Sequence, residues 1–305
     1  MGFMQVSLVL ESAAGSAGAP AEKVHAYPAR HGRRRRRIAA APLAGALGCV
    51  LAFAYTYWFF VLTPSGQRIE NTTLLAGRPS TTDSIAGLLR DVDFVPLLGV
   101  TAVVLPLLAL ARRRYALAGG ALVTLLGSLA AAQFLKLSVL PRPELGESDG
   151  APGHNSFPSG HVTAAIAVLL STMLVLPRRF RLWAAVPGAL GVAWVAASTV
   201  VLGWHRLSDT LGAVFLVSAL CCLAIAFRGS QRAASFGAQV TALLVPVLVA
   251  GIGYLATTAG AEGGGGVLVM AVVLAAVSSV VMVTLVTWLM LGDGKDKGRH
   301  RVQRP

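Results

Sequence analysis

Three short polar segments between long apolar stretches contain residue types suited to phosphate chemistry. The first contains Lys136 and Arg142, the second ends in Pro-Ser-Gly-His at 158–161, and the third contains His205 and Asp209. An ionisable side chain at membrane depth is costly and is therefore a candidate functional residue by default. We take these three segments together as the candidate site.

The Pro-Ser-Gly-His sequence predicts the start of a helix, with Ser159 as its N-cap. The N–H groups of Gly160 and of the next residues would then point into one small space, which favours a phosphate or another oxyanion. His161 would stand in the first turn of this helix, close to the bound anion.

The spacing of His205 and Asp209 places both side chains on one face of a helix, where the carboxylate can hold the Nδ1–H of the imidazole. This orientation leaves Nε2 as a nucleophile or base. Lys136 and Arg142 add positive charge for the non-bridging oxygens of a phosphoryl group. The combination of cations, helix N-terminus, nucleophile and acid predicts phosphoryl transfer.

Each of these elements also has a simpler interpretation. Lys136 could extend its charge to the membrane surface, Ser159 could be only a helix cap, and Arg142 could face anionic headgroups. His205 and Asp209 could form an interfacial pair. The occurrence of all of them on one predicted membrane face favours a joint site.

The elements that position these residues are predicted to be membrane helices. Of the 305 residues, 55% are hydrophobic and 13% are charged, with a mean hydropathy of +0.69, whereas charged residues form about a quarter of soluble domains. A membrane-spanning helix needs about 20 apolar residues. Eight stretches predict an all-α polytopic membrane protein: 38–63, 94–111, 116–140, 159–176, 182–202, 207–227, 236–257 and 267–291.

The distribution of basic residues predicts the orientation. The formal net charge is +13, and 20 of the 26 lysines and arginines fall on one side of the predicted helices, together with both termini. By the positive-inside rule, both termini are cytoplasmic and the three polar segments are extracytoplasmic. We predict a multi-pass protein of the cell membrane. The alternative for Arg33–Arg37, a nucleic-acid or targeting patch, is disfavoured because a long apolar stretch follows, and no nucleic-acid partner is predicted.

The remaining segments add less chemistry. Residues 64–93 are predicted to form a polar outer loop. Cys49, Cys221 and Cys222 lie inside apolar stretches and form no CxxC pair, so we interpret them as small core or lipid-facing residues rather than ligands of a metal or redox centre.

The three segments, in this order, resemble the type 2 phosphatidic acid phosphatase superfamily of lipid phosphatases. The resemblance covers about residues 94–227. It implies a six-helix core that hydrolyses phosphate esters with no metal or other cofactor. It also implies roles for single residues: His205 becomes phosphohistidine, Asp209 orients it, and His161 protonates the leaving alkoxide. Lys136, Arg142, Ser159 and the Gly160 backbone would hold the phosphate oxygens.

With this resemblance, the predicted organisation has four parts. A disordered basic cytoplasmic tail (1–37) precedes the six-helix phosphatase core (38–230). Two further transmembrane helices (231–292) and a basic cytoplasmic tail (293–305) follow.

The sequence departs from the family pattern twice. Five residues separate Lys136 from Arg142, where the family usually has six. Thr199 stands where the family has a second phosphate-binding arginine. On a helix, the side chain of Arg206 would point about 100° away from that of His205, so we do not assign it the missing role.

The predicted function is hydrolysis of a lipid phosphate or pyrophosphate, phosphatidic acid-like or polyprenyl, at the outer leaflet. The partners predicted are the bilayer and this lipid substrate. A non-catalytic binder or transporter of phosphorylated lipids is the alternative, and vanadate-dependent halide oxidation is a third. The identity of the lipid, the oligomeric state and the role of the last two helices stay open.

Overall fold

The computed structural model describes residues 38–77, 94–145, 154–229, 234–259 and 264–292. Within these ranges the chain forms helices and no strands, which confirms the all-α prediction. The helices are α1 (Ala40–Val61), α2 (Pro64–Ala76), α3 (Phe94–Ala111), α4 (Tyr115–Val139), α5 (Gly160–Val175), α6 (Arg178–Val201), α7 (Leu207–Arg228), α8 (Phe236–Ala259) and α9 (Gly264–Gly292).

Each of the eight predicted apolar stretches overlaps one of these helices, with ends that differ by a few residues. Six of the helices, α1, α4, α6, α7, α8 and α9, are long and apolar enough to cross a membrane, so the chain is a multi-pass membrane protein. The helices α3 and α5 are apolar but shorter. At about 1.5 Å per residue, the 16 residues of α5 reach about 24 Å, short of a hydrocarbon core of about 30 Å. The polar segment before α5 can therefore lie at membrane depth.

The helix α7 forms the centre of the bundle and contacts α1, α5 and α9. Its buried side chains include Leu211, Phe215 and Ile225. Small residues bring neighbouring helices close: a Cβ at Gly48 of α1 would lie 2.3 Å from the carbonyl oxygen of Leu243 in α8. Contact through small residues is the usual means of helix association in lipid, because lipid chains are as apolar as the side chains they contact.

The last two helices pack closely against the helices that precede them. The helix α8 packs along α1, and α9 packs along α6 and α7. At the end of α9, the carbonyl oxygen of Leu291 accepts a hydrogen bond of 2.6 Å from Arg178. The side chains of α8 and α9 thus cover the outer faces of the central helices.

The prediction of an outer loop over 64–93 is wrong for its first part, which forms α2. Thr63 is the N-cap, its Oγ1 accepting a hydrogen bond of 3.1 Å from the N–H of Gly66, and Pro64 occupies the first helical position, where its missing N–H costs nothing. The rest of the predicted loop, 78–93, and both predicted tails, 1–37 and 293–305, lie outside the described residues. The three cysteines are buried and form no disulfide with one another.

Candidate active site

Lys136 lies in the last turn of α4, where the backbone widens into a π-helical turn over Leu135–Val139. Such turns are frequent at functional sites. The ammonium group of Lys136 interacts electrostatically with the Asp209 carboxylate and with His161. The structure therefore brings Lys136 to the other predicted site residues, although the segment between Lys136 and Arg142 is one residue shorter than the family pattern.

The chain that follows α4 is fixed by Asn155, which precedes α5. The Asn155 amide donates to the carbonyl oxygens of Lys136 (3.0 Å) and Leu140 (2.6 Å), and its own oxygen accepts from the N–H of Phe157 (3.1 Å). The hydroxyl of Tyr57 in α1 donates to the carbonyl oxygen of Pro141 at 2.5 Å. The first and second polar segments are thus held together by hydrogen bonds to backbone carbonyls.

Ser159 is the N-cap of α5, as predicted, and its Oγ accepts a hydrogen bond of 3.4 Å from the N–H of Val162. Its own N–H donates to the carbonyl oxygen of Asp209 at 2.9 Å, which joins the start of α5 to that of α7. Gly160 is the first residue of α5, and a Cβ placed there would meet no atom within 4 Å. The N-terminus of α5 therefore has open space beside it, among the described atoms, into which its N–H groups can bind an anion.

His205 and Asp209 form the predicted pair, with 3.3 Å between Nδ1 and Oδ2. The prediction that both stand on one helix is wrong, because α7 begins at Leu207 and His205 lies in the turn before it. This turn is held by the carbonyl oxygen of Thr199, which accepts from the N–H groups of Trp204 and His205, both at 3.1 Å. Asp209 is in the first turn of α7, where the helix dipole favours a negative charge.

The Asp209 carboxylate is completely buried, and its Oδ2 is the acceptor for three groups. The Ser156 hydroxyl donates to it at 2.5 Å, the N–H of Arg206 donates at 2.9 Å, and His205 Nδ1 lies at 3.3 Å. An ionised carboxylate only accepts hydrogen bonds, so Nδ1 is the protonated nitrogen of this pair. Nε2 of His205 is left as the nitrogen able to react, on a side chain that is 11% exposed.

His161 faces His205 across the start of α5. The centroids of the two imidazole rings are 5.8 Å apart, with an interplanar angle of 65°. The ring of Trp204 lies beside His161 at the same centroid distance. Two imidazoles at this separation can both reach one phosphate group, one as nucleophile and the other as proton donor.

The helix α2 supplies a residue that sequence reasoning missed. Glu70 accepts from Arg142 Nη2 at 3.3 Å with one oxygen, and from the N–H of Ser208 at 2.8 Å with the other. The side chains of Arg142 and Glu70 are only 4% and 1% exposed. Burial raises the pKa of Glu70, and the neighbouring Arg142 opposes this increase. Glu70 thus connects the first polar segment to the third.

The environment of Arg142 therefore differs from the one that the resemblance implies, in which this side chain holds only phosphate oxygens. Its Nη2 is paired with Glu70, whereas its Nη1 is buried with no hydrogen-bond partner among the described atoms. The backbone after it is fixed by Gln67, whose amide donates to the carbonyl oxygen of Pro143 (2.6 Å) and accepts from the N–H of Leu145 (3.3 Å). One face of α2 thus holds the guanidinium group and the chain around it.

The structure also shows what replaces the family arginine. Thr199 is completely buried, and its hydroxyl donates to the carbonyl oxygen of Ala196 at 2.9 Å. Arg206 extends from the N-cap of α7 to Ser156 Oγ (3.3 Å) and Asn71 Oδ1 (3.4 Å). Burial lowers the pKa of Arg206, and the nearby Arg142 lowers it further. Arg206 thus packs behind the His205–Asp209 pair.

Comparison with known protein families gives one match. Residues 117–234 match the model of the PAP2 superfamily. This match confirms the resemblance predicted from the three polar segments, all of which lie within it. The comparisons with curated proteins and with solved structures found no match.

The PAP2 match does not extend to α2, so Glu70 and Gln67 reach the site from outside the matched segment. The match contains all seven site residues predicted from the sequence, which lie in α4, α5 and α7 or in the segments between these helices. Within the described ranges, no group of three or more His, Cys, Asp or Glu side chains is arranged to hold a metal ion.

Proposed function

We propose that this protein is an integral membrane phosphatase that hydrolyses a lipid phosphate or pyrophosphate through a phosphohistidine intermediate. The observation that carries the proposal is the His205 imidazole, held by a buried carboxylate and facing His161 beside the open N-terminus of α5. The PAP2 match over residues 117–234 and the six membrane-type helices support a phosphatase in a membrane.

In the first step, His205 Nε2 attacks phosphorus and the bond from phosphorus to the alkoxide oxygen breaks. His161 donates a proton to the leaving oxygen, which departs as the alcohol, or as the lipid monophosphate when the substrate is a pyrophosphate. Lys136, Arg142 and the N–H groups at the start of α5 stabilise the charge on the non-bridging oxygens. In the second step, His161 takes a proton from water, whose oxygen attacks phosphorus. The bond between phosphorus and His205 Nε2 breaks, which releases inorganic phosphate and the free imidazole.

A lipid substrate fits the surroundings of Lys136. The neighbouring side chains of Phe134 and Leu137 are 62% and 78% exposed, and in a membrane they would face lipid chains. A substrate could keep its apolar chain in the bilayer while its headgroup enters the site. From the distribution of basic residues, we propose that this site is extracytoplasmic and that both termini are cytoplasmic.

The test is phosphate release by the purified full-length protein in detergent, with phosphatidic acid, a polyprenyl pyrophosphate and p-nitrophenyl phosphate as separate substrates. His205→Ala should reduce the rate at least about 1,000-fold, because it removes the nucleophile. His154→Ala is the matched control, since His154 is exposed and close to the site in sequence. Undiminished release by His205→Ala would refute the proposal.

Thr199 favours the second candidate, a non-catalytic binder of phosphorylated lipids, because one expected phosphate-binding cation is absent. This candidate predicts that wild-type protein binds phosphatidic acid in a sedimentation or native mass spectrometry assay but releases no phosphate. Labelling with ³²P-phosphatidic acid separates the two candidates. An acid-labile, base-stable label on the protein, lost in His205→Ala, would establish turnover through phosphohistidine.

A further inference from the structure

A recess lined mainly by arginines lies at the end of the helical bundle opposite the candidate active site. It has a volume of about 380 Å³, and among the described residues its lining contains no carboxylate. Five guanidinium groups converge on it from the α3–α4 turn, the start of α6 and the end of α7: Arg112, Arg114, Arg178, Arg181 and Arg228. Such a concentration of like charge attracts anions.

The helices fix the distance between this recess and the active site. Asp209 stands near the start of α7, and Arg228 is its last residue. Arg114 likewise precedes α4, whereas Lys136 lies in its last turn. At about 1.5 Å per residue, these helices separate the two sites by about 30 Å, the thickness of a hydrocarbon core.

Exposed aromatic residues indicate the depth of the recess in a membrane. Tyr115, Trp183 and Phe227 are 68%, 81% and 70% exposed, and each is close in sequence to a lining arginine. Aromatic side chains concentrate at the level of lipid headgroups. These exposed side chains are consistent with a recess at the depth of lipid headgroups.

One of the arginines, Arg181, builds the floor of the recess. Arg181 is buried and donates to the carbonyl oxygens of Leu174 (3.2 Å), Leu176 (3.2 Å) and Met290 (3.0 Å). It therefore caps the C-terminal ends of both α5 and α9, where carbonyl groups lack partners within the helix. The floor is therefore fixed by bonds within the protein.

The rim of the recess is held by the turn between α3 and α4. Arg112 and Arg114 are exposed, and the N–H of Arg114 donates to the carbonyl oxygen of Ala109 at 2.8 Å. Between them, Arg113 has a φ of 52° and does not line the recess. The turn thus directs two of its three arginines to the recess.

We propose that this recess binds the phosphate-bearing headgroup of an anionic lipid in the leaflet opposite the active site. Basic pockets between membrane helices recognise headgroups of this kind. The proposal depends on the recess and not on the proposed phosphatase activity. A soluble phosphate compound shares the chemistry of the ligand, and the experiment distinguishes the two sources.

The probe is phosphatidylglycerol, a phosphodiester, titrated against purified full-length protein in an uncharged detergent and detected as a bound adduct by native mass spectrometry. The test variant is Arg112→Ala/Arg114→Ala. The matched control is Arg113→Ala/Arg179→Ala, which removes the same charge from the same end of the bundle at residues that do not line the recess. Phosphatidylcholine and glycerol phosphate are titrated in the same way, the first as a second lipid and the second as a soluble phosphate compound.

Wild-type protein and the control should bind phosphatidylglycerol alike. The test variant should bind it about thirtyfold more weakly, since each arginine near an anionic lipid contributes roughly a fivefold factor. An equal loss of lipid binding in both double variants would mean that the lipid is attracted to the basic surface in general. No loss of binding in either variant would mean that the recess is not the site. Both results would overturn the proposal. Displacement of the lipid by an equal concentration of glycerol phosphate would also overturn it, in favour of a soluble ligand.

The melting temperature of each variant in lipid-free detergent checks its fold. If the test variant unfolds, Leu176→Trp serves in its place, because it fills the recess from an apolar wall residue and keeps all the arginines. This variant should also lose phosphatidylglycerol binding. Retention of wild-type binding by a folded Leu176→Trp protein would overturn the proposal.

Discussion

Glu70 and Arg142 form a buried ion pair with 3.3 Å between Oε2 and Nη2, and the other oxygen of Glu70 holds the N–H of Ser208. The carboxylate thus lies between the first and third polar segments and fixes the direction of a guanidinium group. Buried Nη1 of the same guanidinium has no hydrogen-bond partner among the described atoms. Pairing on one side of Arg142 leaves a donor for a phosphate oxygen on the other.

Glu70→Gln should lower kcat/KM about thirtyfold, because the neutral amide has one acceptor oxygen for two donors and no longer gives Arg142 a charged partner, an interaction that contributes about 2 kcal/mol. The loss should affect every phosphate substrate alike, since Arg142 contacts the group that all of them share. The measurement is kcat/KM for phosphatidic acid and for p-nitrophenyl phosphate. Glu144→Gln is the matched control, because Glu144 is exposed and two residues from Arg142. An equal loss in both variants would contradict the prediction.

The stability of the protein should also depend on the ionisation of Glu70. Burial raises the pKa of Glu70 above its ordinary value of 4.5, so the folded state binds this proton more tightly than the unfolded state. Stability from this group is therefore greatest at low pH and declines as the pH rises from about 4.5 through the folded-state pKa. Wild-type melting temperature should fall relative to that of Glu70→Gln over this window, and Glu144→Gln should follow the wild type. A constant difference would contradict the prediction.

The sequence predicts the motif residues well because short-range rules govern them. Ser159 is the residue type that caps helices, and the structure places it at the cap of α5. The sequence of α2 also contained local signals for a helix. Thr63 is followed by Pro64, and the spacing of Gln67, Glu70 and Asn71 places them on one helical face. The hydrophobic pattern did not reveal it, because α2 contains too few apolar residues to be recognised as a membrane helix.

Long-range pairing could not be predicted in the same way. The contact of Glu70 with Ser208 joins residues 138 positions apart, and nothing in the spacing of either segment encodes it. His205 differs for another reason. Its separation from Asp209 fits a helix, but the carbonyl oxygen of Thr199 holds His205 in the turn before α7. The pair therefore joins this turn to the first turn of the helix.

Asp209→Asn should lower kcat about 1,000-fold or more while the fold is retained. The amide has nearly the shape of the carboxylate, but it no longer stabilises the charge on His205 and can donate to Nδ1, which favours the wrong tautomer. Single-turnover phosphate release measures the effect on chemistry. Thr210→Val is the control in the same helical turn, since Thr210 Oγ1 is buried without a hydrogen-bond partner among the described atoms. Similar rates in the two variants would contradict the assigned role of Asp209.

Gly212→Ala should disturb the second polar segment through packing alone. A Cβ at this position would lie 2.4 Å from Cε2 of the Phe157 ring, which is buried and packs against Phe53 at a centroid distance of 5.0 Å. The ring must move, and Ser156 and Ser159 move with it, so both kcat and the melting temperature should fall. Gly191→Ala is the control, because a Cβ there meets no atom within 4 Å and alanine favours the helix. An unchanged kcat in a folded Gly212→Ala protein would contradict this expectation.

Thr199→Arg tests whether the family arginine can be restored by a single substitution. The position is completely buried, and the carbonyl oxygen of the same residue holds the turn that carries His205. A guanidinium group at this position needs space and partners that the described core does not provide, and an unpaired buried charge destabilises a protein strongly. The variant should therefore have a lower melting temperature and lower kcat than wild type, whereas Thr199→Val, which removes only the hydroxyl bond to Ala196, should change both slightly. Higher activity in a stable Thr199→Arg protein would contradict this expectation, because it would mean that an arginine at this position can reach the phosphate site.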